Sequence, residues 1–111
     1  MTDTTIALAA FEELQATAGE DFAKELIGTF LEEAPAMLTE LRAALAAGDG
    51  ESFRRAAHSL KSNSQTFGAQ TLAAMARTLE LGGLPPGSAA LDALAQEYTR
   101  AAAALAELRD A

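Results

Sequence analysis

Residues 54–68 read Arg-Arg-Ala-Ala-His-Ser-Leu-Lys-Ser-Asn-Ser-Gln-Thr-Phe-Gly, RRAAHSLKSNSQTFG. Placed on a wheel at about 100° per residue, this stretch has two faces. Phe53, Ala56, Ala57, Leu60, Ser64 and Phe67 gather on one side, the pattern of a helix that buries a stripe against a core. His58, the only histidine in the chain, lies opposite, in the middle of a polar face shared with Arg54, Arg55, Lys61, Ser62 and Gln65. The spacing predicts a helix over about Gly50–Phe67. Asp49 is its N-cap and Gly68 its end or bend.

The same periodicity runs through the rest of the chain. Of the 111 residues half are hydrophobic, with two Ile and no Val. Ala and Leu, both strong helix formers, dominate, and the scarcity of β-branched residues argues against a sheet. A first helix is expected from about Asp3 to Ala16, with Ile6, Leu8, Phe11 and Leu14 inward, ended by Thr17-Ala18-Gly19. A second is expected from about Glu20 to Ala47, with Phe22, Leu26, Ile27, Phe30, Ala34, Met37, Leu38, Leu41 and Leu45 as its stripe and a kink or short break near Glu32–Ala34 caused by Pro35. A fourth covers about Ala69–Leu81, with Leu72, Met75, Ala76 and Leu79 inward. After the loop Gly82-Gly83-Leu84-Pro85-Pro86-Gly87, Ser88 caps a last helix, about Ala89–Asp110, whose stripe includes Leu91, Leu94, Tyr98, Ala101, Leu105 and Leu108. Amphipathic helices joined by short connections give an all-α fold, an antiparallel four-helix bundle with a short additional N-terminal helix, as one domain over residues 1–111.

Composition narrows the function. The net charge is −8 and the isoelectric point about 4.5, which disfavours nucleic acid and anionic membrane surfaces as partners. There is no cysteine, hence no disulfide and no thiolate metal site. The N-terminus has no basic segment before an apolar one, so it does not read as a secretory signal. No apolar run approaches membrane-spanning length. A cytoplasmic, monomeric domain is expected.

The chemistry concentrates on His58. A lone histidine on a polar helix face is ordinarily just solvated, and basic residues in an acidic protein often only balance neighbouring charge. Here three of the eight basic residues flank the one imidazole. Positive charge at i−4, i−3 and i+3 disfavours the imidazolium and leaves a neutral ring with a nucleophilic nitrogen. The same cations welcome a dianionic phosphoryl group. Other uses of the histidine lack their residues. A di-iron bundle needs Glu-x-x-His, and the residue three before His58 is Arg55. Zinc would find one nitrogen ligand and no thiolates. No acid or strained serine marks a triad, and Gly82-Gly83 lacks the Lys-Ser/Thr of a nucleotide loop.

At these residues the chain resembles the histidine-containing phosphotransfer (HPt) domains, whose typical motif is A-H-x-L-K-G with a second glycine ten residues after the histidine. Ala57-His58-Ser59-Leu60-Lys61 and Gly68 match it. Upstream, Phe22, Leu26, Ile27, Phe30, Pro35, Leu38 and Leu41 are similar to the family's preceding helix, and Gly48-Asp49 to its turn. Downstream, Ala69, Leu72, Leu79 and Glu80 are similar to the helix that follows. The resemblance covers about residues 15–110. One departure stands out: Ser62 occupies the position after the lysine where the family usually has glycine. It is small enough to admit a partner, and its hydroxyl can hydrogen-bond a phosphoryl oxygen.

The resemblance implies a phosphoryl carrier in a two-component phosphorelay, without an ATP or metal site of its own. His58 would be phosphorylated, on Nε2, and Lys61 would offset phosphoryl charge. Ser62 and Gln65 would contact phosphate or partner, and Gly68 would shape the end of the histidine helix. The wheel adds Arg54 and Arg55 as docking residues. The implied partners are receiver domains of response regulators and hybrid histidine kinases, with Mg²⁺ on the receiver's side. The competing reading is a helical-bundle interaction module that docks on a signalling partner, to inhibit or scaffold it, and carries no phosphate.

Overall fold

The computed structural model describes residues 8–110, the side chain of Leu8 excepted. It contains five helices: α1 (Leu8–Ala18), α2 (Glu20–Ala47), α3 (Gly50–Thr66), α4 (Gln70–Gly82) and α5 (Ala89–Asp110). The expected start of the first helix at Asp3, with Ile6, lies outside the described residues. Helix α2 packs on α3, α3 on α4, α4 on α5, and α5 returns to α2, while α1 lies across α2 and α3. The result is an all-α four-helix bundle covered on one side by a short fifth helix.

Two turns place α3 between its neighbours. At the end of α2, Gly48 adopts the left-handed conformation, φ 68°. Its N–H donates to the Leu45 carbonyl at 3.2 Å and the Asp49 N–H to the Ala44 carbonyl at 2.9 Å. This double closure is the Schellman arrangement. The chain then reverses at once, because the Asp49 carboxylate accepts from the Ser52 N–H at 3.1 Å and caps α3. The end of α3 repeats the device. Gly68 has φ 73°, its N–H reaches the Gln65 carbonyl at 3.1 Å, and the Ala69 N–H reaches the Ser64 carbonyl at 2.9 Å. Such short reversals force α2, α3 and α4 to run antiparallel.

The buried face of α3 is the one the wheel predicts: Phe53, Ala56, Ala57, Leu60, Ser64 and Phe67 are all buried. Ser64 satisfies its hydroxyl by donating to the Leu60 carbonyl at 2.6 Å. Beside Gly68, Phe67 stacks on Phe30 of α2 with ring centroids 5.2 Å apart, and Phe30 meets Tyr98 of α5 edge-on at 6.1 Å. This aromatic cluster ties the end of α3 to two other helices.

Two expectations are corrected. Of the kink or short break expected near Glu32–Ala34, the break does not occur: α2 is continuous through Pro35. Proline removes the N–H that would serve the Leu31 carbonyl, and the Tyr98 hydroxyl donates to that oxygen at 3.4 Å. Packing from α5 thus compensates the lost bond. Second, Phe22 is 51% exposed, whereas Ala23 is fully buried. The α2 stripe is centred on Ala23, Ile27, Phe30, Ala34 and Leu41, and Phe22 stands about 100° away from it. Apart from these, Glu97 on the inner side of α5 is 2% exposed. Its Oε1 accepts from Arg100, and its buried Oε2 has no hydrogen-bond partner among the described residues.

Leu60 is fully buried two residues from His58. Leu60→Ala is expected to lower unfolding free energy by about 2–5 kcal/mol, the cost of lost burial plus a cavity, as read by urea denaturation.

Candidate functional site

Helix α3 presents His58 to solvent because Ala57 and Leu60 on either side of it are drawn into the core. The His58 side chain is 55% exposed. Its surroundings differ from a simple ring of cations. Helix α4 returns antiparallel along α3 and brings Glu80 beneath the imidazole. Glu80 Oε2 lies 2.7 Å from His58 Nδ1, and Glu80 Oε1 lies 2.8 Å from Lys61 Nζ. The carboxylate is only 11% exposed and Lys61 only 19%, so one shielded acid serves two partners one turn apart on α3.

The Lys61 ammonium paired with one oxygen and the His58 ring hydrogen-bonded to the other hold the Glu80 carboxyl below its ordinary range. It is therefore ionised at neutral pH and can only accept. That assigns the proton of a neutral imidazole to Nδ1, which donates to Glu80, and leaves the lone pair on Nε2 at the other edge of the ring. An exposed, oriented imidazole with a free Nε2 is equipped for nucleophilic attack on an electrophile brought to it from outside.

The other residues singled out in the sequence separate into groups. Arg54 is exposed but engaged, with its guanidinium 2.7 Å from Glu51 Oε1. Arg55 is exposed and makes no ion pair within the described residues. It lines a groove of about 460 Å³ between α2 and α3, together with Glu40, Asp49 and Ser59. Ser62 and Gln65 are exposed; Gln65 borders a second groove, toward α1 and α4. Gly68 is buried at the α3–α4 turn. The cationic ring inferred from the wheel is thus corrected: Arg54 and Lys61 are each paired with a carboxylate. The wheel of one helix carries no information on the residue a second helix supplies.

Glu80 is the residue that reading α3 alone misses as a contact of His58. Its signal was a charge at the edge of the apolar stripe Leu72, Ala76 and Leu79, which becomes meaningful only once α4 is laid against α3. Among the described residues no group of three or more His, Asp or Glu side chains is placed to hold a metal ion, and no helix is long and apolar enough to cross a membrane.

Because Glu80 is held below its ordinary value of 4.5, its contacts contribute stability fully present above that pH and lost as pH falls through the lower folded-state value. The stability difference between the wild-type chain and Glu80→Gln should therefore be largest near neutrality and close on acidification, as measured by urea denaturation along a pH series.

Comparison with known proteins places the fold and the family. A family model described as Hpt domain matches residues 25–104. The fold superposes on the crystal structure of histidine-containing phosphotransfer protein B (HptB) from Pseudomonas aeruginosa PAO1 with a TM-score of 0.91. The two share 27% sequence identity, and the match covers 98% of this chain and 97% of that one. No curated protein matches the chain. With most of its length matched by that family model and the bundle shared almost end to end, the chain belongs to the Hpt domain family, the histidine phosphotransfer modules that work with receiver domains in phosphorelays.

Proposed function

We propose that His58 is the phosphoryl-accepting residue and that the chain carries the phosphoryl group between receiver-domain aspartates. The observation that supports this most directly is the exposed imidazole whose Nδ1 is held by a shielded carboxylate, leaving Nε2 free. In the transfer step the Nε2 lone pair attacks the phosphorus of an aspartyl phosphate. The bond between phosphorus and the aspartate oxygen breaks, and the aspartate leaves as a carboxylate. No proton has to move at that moment. Nδ1 keeps its hydrogen, and the positive charge that develops on the ring lies against Glu80. Transfer onward is the reverse displacement, with the next aspartate as nucleophile.

Phosphoryl transfer depends chiefly on positioning and charge stabilisation. In this reading Glu80 orients the ring and Lys61 holds Glu80 in place, available to the phosphoryl group as a nearby cation. Ser62 leaves room one turn beyond the histidine and offers a hydroxyl, Gln65 extends the polar contact face, Arg55 helps to steer the partner, and Arg54, paired with Glu51, meets it only at short range. Gly68 ends the helix that carries them. Mg²⁺ would be bound by the receiver.

The test mixes the chain with radiolabelled phospho-receivers and Mg²⁺, beside His58→Gln. Base-stable, acid-labile label on the wild type, and none on the variant, is the expected outcome. Glu80→Gln should remain folded and still accept label, but roughly 10- to 100-fold more slowly, as when other imidazoles lose an orienting carboxylate. Label that persists in His58→Gln would overturn the assignment of the residue. No label from any donor, with binding unchanged by the substitution, would leave a docking module.

A further inference from the structure

We infer that Arg77, on α4, is a docking residue for the receiver domain and sets the strength of its encounter with this chain. The inference rests on the proposed phosphotransfer role of His58 and adds a residue that α3 does not contain.

A chain of net charge −8 repels a partner that arrives with carboxylates and a dianionic phosphoryl group, unless cations are presented locally. On the α4 side of the histidine helix, both cations of α3 are already engaged, Arg54 by Glu51 and Lys61 by Glu80. Their fields are largely cancelled at the distances over which a partner is steered.

Arg77 is different. It sits three residues before Glu80, one turn away and on a neighbouring strip of the α4 surface. It is exposed, and within the described residues its guanidinium pairs with no carboxylate. Since α4 runs antiparallel to α3, a step from Glu80 back to Arg77 follows α3 forward from His58 and Lys61 to Gln65. Arg77 and Gln65 accordingly border the same open groove of about 430 Å³, whose floor includes Gly68, Ala73 and Ala10. On the opposite flank of α3 the other unpaired guanidinium, Arg55, borders the α2 groove. His58 therefore lies on a ridge with, among the described residues, one arginine outside any close ion pair to each side, Arg55 having Asp49 and Glu51 nearby and Arg77 standing clear of them. Arg77 offers five donors in a planar fork, suited to bidentate contact with a carboxylate on the partner's surface.

The experiment measures single-turnover transfer from the labelled receiver that serves the wild-type chain best, as a function of receiver concentration and salt. Arg77→Glu is compared with Arg109→Glu, which makes the same change in net charge on α5, a helix that does not pack on α3. The expected result is a rise of roughly tenfold in the half-saturating receiver concentration for Arg77→Glu, with a weaker salt dependence. The limiting rate should fall far less, and Arg77→Lys, which keeps the charge but not the bidentate fork, should recover only part of the loss together with the salt dependence. Equal effects of Arg77→Glu and Arg109→Glu would overturn the inference while leaving the carrier role of His58 intact. A loss confined to the limiting rate would also overturn it, since that would place Arg77 in the chemistry. A wild-type chain labelled by no receiver would remove the underlying role and this inference together.

Discussion

The carboxylate of Glu80 joins the two helices on which the site depends. An ionised acid at the edge of a core is costly unless its oxygens are matched. Here the match comes entirely from α3: an ammonium on one oxygen and an imidazole N–H on the other. The packing of α4 on α3 is therefore also the orientation of His58. A slip of either helix would separate the acid from the base, and the core residues of α3 that prevent such a slip, Leu60 above all, act on the chemistry without touching it.

The bundle is arranged so that this one contact can be held while the imidazole stays open. Helix α3 is braced by α2 and α4 on its flanks and by α1 near its end, and both of its ends are closed by capped, hydrogen-bonded turns. Phe67, Phe30 and Tyr98 lock the far end. Rigidity comes from the scaffold, and exposure comes from one helix face. That suits the proposed carrier role, in which His58 would meet more than one partner. The electrophile would then be brought from outside, and an open ridge admits differently shaped surfaces where a cleft would select one. Such encounters are governed by charge placed around the reacting atom as much as by contact area.

The charge pattern also shows how pairing alters what a sequence displays. Eight basic residues are present, yet those nearest His58 in the chain are mostly engaged. A charge on the same helix and a charge on the neighbouring helix can both border one site, and only the second kind escapes a wheel. Arg77 and Glu80 belong to that second kind. One supplies a positive charge that no carboxylate among the described residues pairs, beside the groove that Gln65 borders, and the other a negative charge beneath the ring, and both come from a helix whose local sequence reads mainly as an apolar stripe.

The amino-acid sequence by itself determined the five helices, the buried face of α3 and the exposed side to which His58 belongs, because apolar spacing, Gly48, Asp49 and Gly68 are local signals that act within a few residues. It also carried the Ala57-His58-Ser59-Leu60-Lys61 motif and its spacing to Gly68, on which the family resemblance stands. Only the tertiary structure decided that α2 passes unbroken through Pro35, since the compensating hydroxyl of Tyr98 lies far along the chain. Only the packing of α4 on α3 decided that Glu80 accepts from His58 and pairs with Lys61. These contacts link residues separated by whole helices, and their existence depends on crossing geometry and register, which are fixed when the core closes and not before.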